Sequence, residues 1–405
     1  MPIIKPIKGV RAAAATAPHL ISRSYQLYDK DELANVLKHN PFSFLHILNP
    51  GFKYSHSLRG EERFTMVKNR YMEFKEEQHL VQDQQPAFYL YQNTNDKNTY
   101  TGIIAAAAVA NALDGSIKKH EDTLQPRVEL FKDYLHTVGF NAEPVLLTYP
   151  DHEVVEAIIA TVQATEPVYN FLTLDSVHHK LWVIDAPATT TALEQAFATM
   201  PEFYIADGHH RTSSSELLAK EQQADSYQYF MSYIIAQSQL QITEFNRLVK
   251  DLNGLSKEEF LIRLDMVYRI QNRGLEIYKP SKKHHFSMYL DGDFYSLYLR
   301  KEQFVPQSII DELDTKLLYD TILRPILGIQ DLRNDQRIDY SAGTADLLRI
   351  KMRVDSGEFA VAFCPVPVQV DELKAIARAD LRMPPKSTYI QPKLPSGLTI
   401  YQFEL

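Results

Sequence analysis

Two hydrophobic periods alternate along this chain. Residues 88–92, 100–105, 227–236 and 285–300 run in alternation or as short apolar blocks, which predicts strands. The Asn/Asp-rich spacer 93–98 makes the first two a hairpin, and Asp291-Gly292 joins the two halves of the last. A further hairpin is predicted around 175–177, with Trp182 as core packing. Residues 60–78 instead place Phe64, Val67, Tyr71 and Phe74 at helical spacing amid dense charge, which predicts a surface helix with one packed face. Helices are also predicted over 29–38, over 151–163 with a stripe of Val154, Val155, Ile158 and Ile159, over 190–200, and over 256–264 behind an N-cap at Ser256. Residues 2–11 read as an edge strand, 42–48 as a strand, and 306–327 as an amphipathic helix broken by Pro325. This interleaving predicts an α/β protein with a mixed α+β sheet. A change of texture near Gly254 divides it into an N-terminal α/β lobe, 1–254, and a C-terminal α+β lobe, 255–405, which carries a hairpin and a proline-rich wrapping tail.

The densest chemistry lies at Tyr204-Ile-Ala-Asp-Gly-His-His-Arg and the hydroxyl residues behind it. Phe203 to Ala206 predict a short buried strand, and Asp207-Gly208 is a turn signal. A helical pattern follows, with Thr212 and Ser213 among the hydroxyl residues where caps belong. Strand, tight turn and helix N-terminus together make an anion site. Arg211 adds a planar, permanently charged clamp for phosphate or carboxylate. Gly208 lets a ligand approach the backbone. Asp207 is a candidate proton acceptor or Mg²⁺ ligand, and His209 or His210 a nucleophile or acid–base group. The plainer alternative is that Asp207 and Arg211 only pair and cap the helix, worth about 0–1 kcal/mol. Adjacent histidines point different ways, so His209 and His210 do not share one metal, and either can be a packed side chain.

A second constellation is Lys118-Lys119-His120-Glu121. Two amines can neutralise phosphate oxygens, and Glu121 can accept a hydroxyl proton or hold Mg²⁺. Taken alone it reads equally as a charged loop. Arg247 is a further candidate ligand arm, with a salt bridge as the alternative. The chain has 405 residues and a net charge of −8, which argues against broad nucleic-acid binding but not against a local basic pocket. Its single cysteine, Cys364, allows no intramolecular disulfide and fits a reducing cytoplasm; its strand context predicts a buried, inert thiol. The most apolar stretch, 103–110, is far short of the roughly 20 residues of a membrane span.

Taken with other stretches, the turn resembles a known family. "Y-I-A-D-G-H-H-R" is similar to the signature of a bacterial and archaeal family catalogued as domain of unknown function 1015. In order along the chain stand "P-I-K-G-V-R" at 6–11, "N-P-F-S-F-L-H-I" at 40–47, "G-S-I-K-K-H-E-D-T" at 115–123, "H-K-L-W-V-I" at 179–184, "F-N-R-L-V-K-D-L" at 245–252 and "R-M-P-P-K-S-T-Y" at 382–389. The turn is also similar to the phosphate-binding turn of the ParB/sulfiredoxin-like superfamily, which includes nucleotide-hydrolysing ParB proteins, ATP-using sulfiredoxin and kinases of free serine. These resemblances imply a ParB/sulfiredoxin-like core elaborated by the second lobe, with ATP or ADP and Mg²⁺ as cofactors and no haem, flavin or structural zinc. They imply a phosphotransferase acting on a small polar metabolite, with free serine or phosphoserine the most concrete case. A nucleotide-binding regulator and a histidine-dependent phosphohydrolase are the alternatives. Asp207, His209, His210 and Glu121 would carry catalysis, with Mg²⁺ on Asp207 and Glu121. Gly208, Arg211, Thr212, Ser213, Lys118, Lys119 and His120 would hold phosphate or nucleotide, with Arg11, Arg23 and Arg247 as accessory arms. The partner would be a phosphorylated small molecule rather than a membrane or nucleic acid, and homo-oligomerisation stays open. Ser22-Arg23-Ser24-Tyr25-Gln26 departs from the family's Ser-Arg-Pro-Tyr-Asp. If that aspartate accepts a proton or binds metal, Gln26 cannot replace it.

Overall fold

The alternating and helical patterns fold into two units, each with its own sheet and core. The structure is a computed structural model and describes residues 1–54, 58–300, 302, 305–342 and 347–404. One unit comprises Met1–Leu240 with Pro392–Leu405, the other Gln241–Gln391. The division therefore falls before the expected boundary at 254, because Phe245–Val249 hydrogen-bonds to Ile338–Ala342 and Val361–Cys364 of the second sheet. The C-terminal tail belongs to the first unit, where Thr399–Gln402 pairs with Gly9–Ala12 and Phe140–Asn141. The fold class is mixed α/β.

In the first unit the main sheet runs Ile117–Lys118, Phe203–Asp207, Val145–Tyr149, Tyr229–Ala236, Thr99–Ala108, Phe88–Thr94, His178–Ile184, Tyr169–Leu172. Parallel pairings (Ile117–Lys118 with Phe203–Asp207, Val145–Tyr149 with Tyr229–Ala236) sit beside antiparallel ones. Both predicted hairpins form. The helix Gly60–Glu76 buries Phe64, Val67, Tyr71 and Phe74, the four residues its spacing selects. The helix Glu153–Gln163 buries Val155 and Ile159 and leaves Val154 exposed, so its apolar stripe is narrower than expected. Trp182 is buried and donates its indole N–H to the Thr165 carbonyl at 2.9 Å. Residues 42–48, expected as a strand, instead form a turn and the one-turn helix Leu45–Leu48. That turn buries Phe44, Leu45 and Ile47 together, whereas a strand would have sent Phe44 and Leu45 to opposite faces.

In the second unit the sheet order is Tyr268–Gly274, Asp293–Leu299, His285–Leu290, Val361–Cys364, Phe245–Val249, Ile338–Ala342, with every pairing antiparallel. The hairpin turn has Asp291 at φ 47° and Gly292 at φ 88°, the left-handed pair that a two-residue connection needs. Ser256 and Glu259 form a reciprocal capping box on the helix Lys257–Asp265. The long helix expected over 306–327 is reduced to Asp314–Leu318 and a wide π-type turn, Tyr319–Leu323. Pro325 lacks an N–H and crowds the carbonyl four residues back, and just before it Arg324 N–H reaches Tyr319 at 3.0 Å, five residues back. Cys364 is buried in its strand, as its context predicts. Part of the last predicted stretch, 343–346 and 405, lies outside the described residues.

Candidate functional site

The strand Phe203–Asp207 ends at Gly208, and the helix His209–Glu221 begins at the next residue. Pairing with Val145–Tyr149 shifts register between Ile205 and Asp207. Strict alternation would put Asp207 on the face of Ile205, which is fully buried among apolar side chains. The irregularity releases Asp207 from that face at the mouth of the turn. Gly208 then adopts φ 104°, where a side chain is strained. Its bare Cα also makes room: a Cβ there would stand 3.0–3.1 Å from the Arg211 guanidinium. The helix starts earlier than its apolar pattern suggests, so His209, His210 and Arg211 form its first turn. Thr212 N–H makes the first intrahelical bond, to Gly208 at 3.0 Å, and the amides before it have no partner within the helix.

Arg211 folds back over the glycine. One guanidinium nitrogen donates to Asp207 Oδ2 and another to the Pro144 carbonyl at 2.5 Å. Among the described residues its other N–H donors have no protein acceptor. Lys393, delivered by the returning tail, donates to Asp207 Oδ1 at 2.7 Å. Burial pushes the Asp207 carboxyl up, but Arg211 and Lys393 outweigh it and hold the group below its usual range. Side-chain exposures of 34% for Asp207 and 30% for Arg211 leave both reachable. They line a polar cavity of about 40 Å³ with Ser24, Glu143 and Lys393.

The second constellation meets the first through His209. The strand Ile117–Lys118 lies beside Phe203–Asp207, so residues 119–121 leave the sheet next to the turn. The His120 amide donates to His209 Nε2 at 3.3 Å, and the two rings meet edge to face at 4.4 Å. Since Nε2 accepts, the proton of neutral His209 sits on Nδ1, which faces Glu121 Oε2 at 3.6 Å. His209 and His120 are buried, whereas the Glu121 side chain is 36% exposed. His210 Nε2 accepts the Leu124 amide at 3.1 Å.

Other expected site residues are used elsewhere. Lys118 lies 3.7 Å from Glu202, and Lys119 pairs with Glu216 of the helix at 2.5 Å. Thr212 is buried with its hydroxyl on the Gly208 carbonyl, and Ser213 is half-buried one turn in. Arg11 is clamped by Asp83 at 2.9 Å, and Arg23 reaches Glu32 at 3.1 Å. Arg247 belongs to the second unit. There it is fully enclosed, donating to the carbonyls of Phe245 and Lys386, and burial lowers its pKa to about 10. Gln26 lies in the short turn Tyr25–Leu27.

The expectation that Asp207 takes a proton or holds Mg²⁺ does not suit this environment, because cations occupy both its oxygens. Among the described residues no three of His, Cys, Asp and Glu gather as a metal site. Sequence reading missed Lys393, Glu143 and Pro144. No spacing links them to the turn: Glu143 and Pro144 reach it because Val145–Tyr149 pairs with Phe203–Asp207, and Lys393 because the tail returns to the first unit.

The sequence model of a family described as "Protein of unknown function (DUF1015)" matches residues 4–316, and the chain belongs to that family. No curated protein matches it. Among solved structures it is similar to SbnI with a C-terminal truncation from Staphylococcus aureus, at 12% identity and TM-score 0.39 over 73% of this chain and 87% of that one. It is also similar to a mutant free serine kinase in complex with AMP, at 14% identity and TM-score 0.39 over 77% and 95%. A conserved hypothetical protein from Pyrococcus furiosus follows, at 14% identity and TM-score 0.36 over 74% and 94%. No helix among the described residues is long and apolar enough to cross a membrane.

Proposed function

We propose that this family member is a nucleotide-dependent phosphotransferase acting on a small polar metabolite. One observation carries the reading: Arg211 is fixed on two sides, by Asp207 and the Pro144 carbonyl, and lines a polar cavity together with Lys393. A guanidinium so held is pre-organised for phosphate, because little freedom remains to be lost on binding. Phosphoryl transfer needs mainly positioning and charge neutralisation. Arg211, Lys393 and the first amides of the helix His209–Glu221 supply both. Glu121 accepts the proton of the acceptor hydroxyl, and His209 orients it. Mg²⁺ entering with a nucleotide would have Glu121 as its protein carboxylate and would neutralise phosphate charge. Serine and phosphoserine are the first acceptors to assay.

The test is Arg211→Lys, which keeps the charge and loses the planar grip. ADP and pyrophosphate affinity, read by calorimetry, should fall about ten- to a hundredfold, the value of one charge-assisted hydrogen bond. Unchanged affinity with a lowered denaturation midpoint would assign Arg211 to structure alone and remove this reading. Binding of ADP without transfer to any hydroxylated acceptor would make the protein a nucleotide-binding regulator instead.

A further inference from the structure

A second, larger cavity adjoins the turn. It measures about 290 Å³ and shares Arg211 and Glu143 with the small polar one. Its walls are mainly apolar and aromatic, with Phe64, Leu130, Phe131, Tyr134, Phe140 and Val145 among them. Its size and lining are those of a small-molecule site. Serine, by contrast, would leave most of those walls uncovered.

The ion pairs of this chamber are not made within it. Arg211 pairs with Asp207, and Arg63 donates to the Leu48 carbonyl at 3.2 Å rather than to the carboxylate in the wall. Glu143 is the one carboxylate in the wall. It accepts from the Ser396 hydroxyl at 3.0 Å, and among the described residues no cation lies within ion-pair distance of it. Burial and then the Glu143 charge raise the pKa of the Tyr134 hydroxyl while Arg63 lowers it, so both charges are felt inside the chamber. A half-buried carboxylate beside apolar walls gains from a cation that joins it.

We propose that this chamber binds a small primary amine with an apolar or aromatic body whose ammonium group pairs with Glu143. That binding does not rest on the phosphotransfer reading. The apolar body removes the chamber wall from water, and the ammonium gives Glu143 the ion pair that no described residue makes. Sharing Arg211 between the two cavities sets the amine's body beside the phosphate grip.

The experiment compares tyramine, 4-ethylphenol, serine and pyrophosphate by calorimetry on the whole chain. Tyramine and 4-ethylphenol differ only in the ammonium, so their ratio reads the carboxylate directly. Tyramine should bind at least tenfold more tightly than either 4-ethylphenol or serine. Glu143→Gln should bring its affinity close to that of 4-ethylphenol. Leu130→Trp, at a side chain 49% exposed on the rim, should weaken both aromatic probes. Equal binding of the two aromatics, tighter binding of serine, or no saturation in the millimolar range overturns the proposal, even if no variant folds, because the ratio is measured on the unmodified protein. Pyrophosphate is scored separately. Its failure to bind would strike the phosphotransfer reading and leave the amine site standing.

Discussion

Gly208→Ala tests whether the glycine exists for the arginine. Two costs are expected. The backbone holds φ 104°, where an alanine is strained by about 1–2 kcal/mol. The new Cβ would also stand 3.0 Å from Arg211 Nε and 3.1 Å from Cζ and Nη2, so the guanidinium must move by a few tenths of an ångström. That movement loosens a bond to Asp207 or to the Pro144 carbonyl and adds roughly 0.5–1.5 kcal/mol. Gly139 is the control. It closes the helix Gln125–Val138 at φ 79°, and a Cβ there meets nothing within 4 Å, so Gly139→Ala carries the backbone cost alone. Urea denaturation should therefore place Gly208→Ala about 0.5–1.5 kcal/mol below Gly139→Ala. ADP affinity should fall roughly tenfold in the first variant and stay level in the second. Equal losses of stability would refute the contact argument. Lost stability with unchanged ADP affinity would refute the claim that this guanidinium grips phosphate.

Two further outcomes are expected. Lys119→Ala strands the carboxylate of Glu216, whose side chain is only 11% exposed, and should cost about 2 kcal/mol in urea midpoint; a change under about 0.5 kcal/mol would return Lys119 to the pool of ligand cations. His179 is buried against the Tyr91 hydroxyl, 2.7 Å from Nδ1, and burial lowers its pKa from 6.5 to about 4. Its contribution is complete above 6.5 and is lost as pH falls toward 4, because there the unfolded chain binds a proton that the folded one refuses. The loss is roughly 3 kcal/mol, flat below that window, and absent in His179→Gln; a wild-type midpoint that does not fall between those pH values would refute it.

Local pattern carried most elements into the fold. The period of Phe64, Val67, Tyr71 and Phe74, the N-cap at Ser256, and the Asp291-Gly292 turn each act within a few residues, and each appears as read. Patterns that depend on distant partners were not legible. Phe42 to Leu48 alternates like a strand, yet among the described residues no strand pairs with it and its burial is achieved by a helical turn. The strand–turn–helix at Asp207 was legible because its glycine and apolar run are contiguous. The meeting of Glu121 with His209 rests on the pairing of Ile117–Lys118 with Phe203–Asp207, which a two-residue strand does not announce. Lys393 stands 186 positions from Asp207, so nothing in either segment points to the other.

Where the protons and the charges reside divides this turn into two roles. Asp207, held below the usual carboxylate range between Arg211 and Lys393, stays an anion at neutral pH and is too weak a base to take a hydroxyl proton. What it does instead is hold two cations side by side that would otherwise repel each other at the mouth of a cavity. An arriving phosphate meets cations already gathered and already stripped of part of their water, so little reorganisation remains. Glu121 lies instead beside His209, 3.6 Å from its Nδ1. Its neighbour is a histidine whose tautomer is fixed by the His120 amide and which presents Nδ1–H. Such a neighbour orients a carboxylate without cancelling its charge. The anion that assembles the grip and the anion that can accept a proton are therefore different residues, one at the end of the strand Phe203–Asp207 and one in the segment that follows the neighbouring strand Ile117–Lys118, with the first residue of one helix between them.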